Sequence, residues 1–251
     1  MATYRANGIV LRRTNLGETD RIVTLYTREH GKLSAVAKGA RRPISRLAAS
    51  TELFTYARYL LATGRNLDVV TQAETRESFP SIRDDIGAIA YATYLIELVG
   101  EMSEDRAPHP DLFDTLLSSL YMIESGIDPE IVTRAFELQF MTVSGYKPHL
   151  ESCGRCGASL PAEQVSFSPS FGGALCEECG PLPEDAIMVR RQTLDAMISL
   201  LTAEPTQIRD MVIPEEMRTE MANVMRWHIR YRLERELKSA GFIQALKARA
   251  C

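Results

Sequence analysis

Long apolar runs are missing from this chain. The longest mostly apolar stretch, residues 88–99, spans about a dozen positions and contains Glu97. A membrane span needs about 20 such residues, so no transmembrane helix is expected. The opening residues, Met1-Ala2-Thr3-Tyr4-Arg5-Ala6-Asn7, lack the apolar centre of a signal peptide, and the expected location is the cytoplasm. Histidine is scarce: His30, His109, His149 and His228 are the only four, and none has a partner at a ligand or triad spacing. Neither G-x-x-x-x-G-K-[ST] nor G-x-G-x-x-G occurs, which removes the common phosphate-binding loops. Asp20 and Asp84-Asp85 are isolated acids, and a helix N-terminus explains the pair better than a catalytic metal does. Repeats and low-complexity tracts are also absent.

What is present is an ordinary globular composition, with 45% hydrophobic and 25% charged residues over 251 positions. That length suggests one or two domains. The charge, however, is unevenly placed. Residues 1–80 hold 13 basic and 7 acidic side chains, whereas 81–225 are net −15 and 226–251 net +5. A basic head on an acidic body points to an anionic partner at the head.

The chain from 1 to 75 reads as short strands at 4–12, 21–27, 32–38, 54–61 and 67–73. Turn residues Asn15, Gly17, Gly31, Gly39 and Gly64 lie between them. Five short strands in so short a stretch predict a small barrel, and the OB-fold and the SH3-like barrel both fit. From Pro80 the period changes to three and four, predicting helices after 80, over 111–124 and 130–144, over 190–201 and from 214 to about 238. The fold class is therefore α+β. Residues 1–80 form the barrel and 81–251 a helical domain, interrupted at about 148–183 by a segment rich in Gly, Pro and Ser.

That segment carries Cys153, Cys156, Cys176 and Cys179, two C-x-x-C knuckles at a spacing usual for zinc ribbons. Disulfides are rare in a reducing compartment, so the spacing reads as a metal site. Four thiolates suit one tetrahedral Zn²⁺ and leave no open position for catalysis. An iron–sulfur centre or a redox pair is the alternative. Both knuckles end in glycine, Gly157 and Gly180, where a positive φ would let an amide point at sulfur. Cys251 stands apart from the cluster.

Lys38-Gly39-Ala40-Arg41-Arg42-Pro43-Ile44-Ser45-Arg46 puts four cations into one short stretch with no acid, on the one long connection of the barrel. Guanidinium groups bind phosphate oxygens in a fork, so Lys38, Arg41, Arg42 and Arg46 are candidate nucleic-acid contacts. Arg12, Arg13, Arg58 and Arg65 could extend the path; the alternative is a solvated loop. Tyr4, Phe54, Tyr56 and Tyr59 could stack on bases, although at strand spacing such rings usually form core. Near the C-terminus, Arg226, Arg230, Arg232, Arg235 and Lys238 surround Trp227, Ile229, Tyr231 and Leu233. This reads as a packed helix with a basic outer face, or as a second polyanion contact.

Gly8-Ile9-Val10-Leu11, Gly17-Glu18-Thr19-Asp20-Arg21-Ile22-Val23 and Val36-Ala37-Lys38-Gly39-Ala40-Arg41 resemble the barrel pattern of the bacterial DNA repair protein RecO family. Phe136-Glu137-Leu138 and Gly145-Tyr146-Lys147-Pro148, followed by Cys153 and Cys156, resemble its helix entering the zinc segment. The resemblance covers most of the chain. It implies an N-terminal five-stranded OB-fold, a helical domain with an inserted four-cysteine zinc ribbon holding one structural Zn²⁺, and no bond-breaking catalysis. It also implies a recombination mediator that is cytoplasmic and nucleoid-associated. Such a protein binds single- and double-stranded DNA, anneals complementary strands and, with RecR, helps load RecA on DNA coated by single-stranded DNA-binding protein. Family members take up the acidic, Phe-ended tail of that coating protein, and Arg134 matches the family's basic position for its carboxylate. On its own helix, Arg134 could instead pair with Glu130 or Glu137. A zinc-containing nucleic-acid enzyme, such as a nuclease, is the competing reading.

Overall fold

Alternation of side chains builds the first element group. A computed structural model describes residues 2–250. Its strands are β1 (Thr3–Leu16), β2 (Asp20–Thr27), β3 (Gly31–Ala37), β4 (Tyr56–Ala62) and β5 (Asp68–Glu77). Along β3, Leu33, Ala35 and Ala37 are buried while Lys32, Ser34 and Val36 face outward, the period-2 pattern of a half-covered strand. The strands close into a barrel in the order β1-β2-β3-β5-β4. Every pairing is antiparallel except β3 with β5, where Ala35 and Val36 run parallel to Asp68 and Val69. This is the OB-fold arrangement, and it decides against the SH3-like alternative. Alanines at 6, 35, 37 and 57 leave room inside for Leu25, Tyr59, Leu61 and Val70. β1 and β5 both continue past their expected ends, because their outer ends pair with β2 and β4 without being buried.

Helices follow: α1 (Pro80–Asp84), α2 (Ile86–Met102), α3 (Pro110–Glu124) and α4 (Pro129–Val143). The helical stretch after residue 80 breaks at Asp85, which leaves α1 to cap α2 by accepting from the Ala88 amide at 2.6 Å. Then come β6 (Gln164–Ser168), β7 (Gly173–Leu175) and β8 (Ile187–Arg190), a three-stranded sheet in the order β7-β6-β8. The chain ends in α5 (Arg191–Thr202), α6 (Pro205–Asp210), α7 (Glu215–Leu233) and α8 (Lys238–Ala250). The helix expected to reach 238 stops at Leu233, where Glu234 turns left-handed at φ 56°. Cys251 lies outside the described residues.

The chain groups into two units: residues up to Ser125 together with those from Leu237 onward, and Gly126–Glu236. The change from strand to helix at 80 thus falls inside the first unit. There, Phe113 of α3 stacks on Tyr26 of the barrel with centroids 6.4 Å apart, and α2 packs on β1 and on α8. In the second unit, α4, α5 and α7 share a core of Phe136, Phe140, Leu194, Met197, Leu200, Met221 and Met225, all essentially inaccessible. Among the described residues no helix is long and apolar enough to cross a membrane.

Candidate functional site

The cationic connection between β3 and β4 is built as a series of tight turns. The Arg42 amide donates to the Gly39 carbonyl and the Ser45 amide to the Arg42 carbonyl. Asp20, at the head of β2, ties this loop to the β1–β2 turn. Its carboxylate accepts from the Gly39 amide at 2.8 Å and from the Thr19 hydroxyl at 2.9 Å. Those two hydrogen bonds, led by the one from Gly39, hold the Asp20 carboxyl below the usual carboxylate range. Arg41 adds two more ties, its amide to the Thr19 carbonyl and its guanidinium to the Gly17 carbonyl, each at 2.9 Å. The result is a fixed ledge beside the β1–β2 turn from which Lys38, Arg42 and Arg46 project into solvent, with Arg41 exposed along its edge.

The remaining cations divide into two kinds. Arg12, Arg58 and Arg65 are exposed. Arg13 forms an ion pair with Glu52, which also takes Arg21 at 2.8 Å. The charge of Arg13 is therefore already offset within the barrel. The barrel's rings are structural: Tyr59 and Phe54 are buried, Tyr56 packs edge-on against Phe113 at 6.1 Å, and Tyr4 donates to the buried Asp68. Tyr59 further donates to the Ser50 carbonyl at 2.6 Å, anchoring the far end of the long connection.

In the second unit the four cysteines meet. All four Sγ atoms lie within 4.8 Å of one another, with Cys156 and Cys176 3.7 Å apart. An ion bonded tetrahedrally to sulfur at about 2.3 Å sets the sulfurs about 3.8 Å apart, so the donor set fits such an ion. Sheet pairing brings the knuckles together. The Gly154 amide donates to Ala174 on β7 at 2.8 Å, and the second knuckle leaves the end of that same strand. Gly157 has the expected positive φ, +76°, but Gly180 is needed for space: a Cβ there would lie 2.6 Å from the Ser166 hydroxyl. Burial acts to raise the Cys153 thiol, yet the N–H groups of Cys156, Cys176 and Arg155 outweigh it and bring the pKa down to about 6. Cys179 is pushed up to about 12 by burial and by the neighbouring sulfurs.

Arg134 is placed in the interior. It is 6% exposed and bonds Glu137 at 3.0 Å, one turn along α4. Its expected apolar companions Ile131, Phe136 and Leu138 are core residues as well. The bond to Glu137 is the intrahelical pairing that stood as the alternative to a partner's carboxylate.

One grouping was legible only in part. Trp227 and Tyr231, one turn apart on α7, are 43% and 47% exposed, and Tyr146, from just beyond the end of α4, is 45% exposed beside them. The sequence showed the arginines interleaved with Trp227 and Tyr231. Nothing in it placed Tyr146 alongside.

Comparison with known proteins agrees with this architecture. The chain matches the family models "Recombination protein O N terminal" over residues 1–79 and "Recombination protein O C terminal" over residues 83–241. It is 39% identical to the DNA repair protein RecO of Pelotomaculum thermopropionicum over 97% of this chain and 94% of that protein. It is likewise 39% identical to the RecO of Symbiobacterium thermophilum over 99% of each. The RecO of Desulfitobacterium hafniense is 38% identical over 95% of this chain and 88% of its own length.

Proposed function

The chain belongs to the recombination protein O family, and on that premise we propose that it is a DNA-binding recombination mediator whose first strand contact is the cationic ledge of the barrel. The observation that carries this reading is the placement of Lys38, Arg41, Arg42 and Arg46, exposed on a connection that Asp20 and the β1–β2 turn hold in one shape. Such a ledge reads phosphate, not sequence, so binding is sequence-tolerant and includes single and double strands. Arg12 lengthens the path along β1. Neutralising phosphates lowers the repulsion between two complementary strands, which is the physical basis of annealing. Helping to load RecA with RecR, on DNA coated by single-stranded DNA-binding protein, is the step that the family resemblance adds.

The sulfur cluster takes one Zn²⁺ in this reading, held by Cys153, Cys156, Cys176 and Cys179. Four protein thiolates fill a tetrahedral ion, so its work is to fix the ribbon and not to activate water. That closed donor set favours a mediator over a zinc-dependent nuclease.

The test is annealing of complementary labelled strands, with and without single-stranded DNA-binding protein, without ATP or added divalent metal. A mediator accelerates annealing under these conditions. Absence of annealing together with strand cutting in magnesium or manganese would establish the nuclease instead.

A further inference from the structure

We propose that the α7 face bearing Trp227 and Tyr231, with Tyr146 beside it, is a second contact for single-stranded DNA, made by stacking of bases. This rests on the reading that the protein binds DNA, and it adds a site on the second unit that the barrel ledge does not include.

Four observations carry it. First, the three rings open onto one groove of about 610 Å³. Large aromatic side chains left nearly half exposed next to one another are unusual on a surface with no function for them. Second, arginines accompany the rings. The Arg232 guanidinium lies 5.4 Å from the Tyr146 ring centre and 5.2 Å from that of Tyr231, and Arg230 lies 5.7 Å from that of Trp227. Bases stack on aromatic and guanidinium planes alike, while the cations track phosphates. Third, the positive charge is local. Residues 226–235 hold four arginines and one glutamate, although residues 126–236 as a whole carry more acids than bases. Of the groove's acids, Asp185 is already taken by Ser168 and Ser170, and Glu234 remains. Arg226 and Arg230 share Glu236 at 3.0 and 3.2 Å. Fourth, the platform is fixed from beneath. Buried His228 meets the Tyr146 carbonyl at 2.8 Å, which ties α7 to the segment that carries Tyr146.

Charge decides between occupants. An anionic chain with flat bases meets both the cations and the rings, whereas an apolar peptide meets only the rings.

Trp227 is the sole tryptophan, so its emission reports this site in the unmodified protein. The experiment titrates wild type with a labelled oligo(dT), reading tryptophan emission and oligonucleotide anisotropy together. The expected result is quenching that saturates with the anisotropy. Trp227→Ala should weaken binding roughly five- to a hundredfold, the range for one lost stacked base, with Trp227→Phe retaining most of it. Because Trp227 is half exposed, neither change opens a core cavity, and equal melting temperatures check this. A Lys38→Ala/Arg41→Ala variant should keep the quenching amplitude at saturation. Rising anisotropy with unchanged emission, and Trp227→Ala binding as wild type, would overturn the second site while leaving the barrel reading intact. Quenching with full affinity and salt dependence in the Lys38→Ala/Arg41→Ala variant would do the opposite. If an acidic peptide ending in Phe shifts the emission and oligo(dT) does not, the face is a peptide site and the inference is overturned.

Discussion

The barrel ledge and the cysteine knuckles are both loops at strand ends, but they are ordered by different means. The ledge leans on a closed sheet whose interior holds Leu25, Tyr59 and Leu61, and its own turns are tied to Asp20 and Gly17. The knuckles lean on a three-stranded sheet with few large buried residues, among them Leu160, Val165, Phe167 and Leu175. A segment with so few buried apolar side chains benefits from a further support such as a bound metal. The ledge is therefore ordered by the chain itself and the knuckles, on the proposed reading, by the metal that their sulfurs would bind. On that reading the proposed DNA-contacting loop is rigid without metal, while the ribbon's loops depend on it.

Removing the metal should break the comparison most visibly. Structural zinc in finger peptides contributes about 10–16 kcal/mol of apparent binding free energy, so its loss exceeds anything the ribbon's core can replace. After chelation, or in Cys153→Ser, amides over 150–182 should lose hydrogen-exchange protection while β1–β5 keep theirs. Metal analysis should find one zinc per chain before treatment. Equal loss in barrel and ribbon would show that the two regions do not differ in this way.

The ledge is tested by charge. Lys38→Ala with Arg41→Ala should reduce the slope of log K against log[salt] by about 1.4 on single strands, roughly 0.7 for each phosphate contact. An unchanged slope and affinity would remove these residues from the interface.

A smaller effect belongs to pH. Burial pushes the His228 imidazole below its ordinary pKa, with the nearby Arg232 charge acting in the same direction against the hydrogen bond to the Tyr146 carbonyl. The unfolded chain then binds more protons than the folded one once pH falls below about 6.5. Stability is full above that value and declines as pH falls toward the folded pKa, by at most about 1.4 kcal/mol per pH unit. Urea titrations followed by Trp227 emission at pH 7.5 and 5.5 should show the decline, and His228→Gln should flatten it.

The smallest effect sharpens the distinction among cations. Arg13 already pairs with Glu52, so Arg13→Ala should change DNA affinity and salt slope less than Arg12→Ala does. Its cost in stability should be that of a surface ion pair, about 0.2–1 kcal/mol. Equal slopes for the two variants would mean that DNA displaces Glu52.

Much of this was legible because periodicity and spacing are local. The alternation at 32–38 marks β3 to within a residue, and the C-x-x-C pairs at 153–156 and 176–179 point to each other across the segment between them. The three ribbon strands were not legible, since β7 is only three residues long and Gly, Pro and Ser dominate around it. For Arg134 the sequence left two readings, a partner's carboxylate or a pair on its own helix, and the structure adds its burial and its bond to Glu137. Tyr146 beside Tyr231 is a long-range contact, and no local pattern records it.

The return of α8 to the first unit bears on the order in which the protein is made. The Glu97 carboxylate on α2 accepts the amides of Lys238 at 3.0 Å and Ser239 at 2.9 Å, from the far end of the chain. The unit that leaves the ribosome first therefore gains its last helix only after the whole of the other unit has been synthesised. Until then the flank of α2 that α8 packs against in the folded unit lacks that cover in the nascent chain.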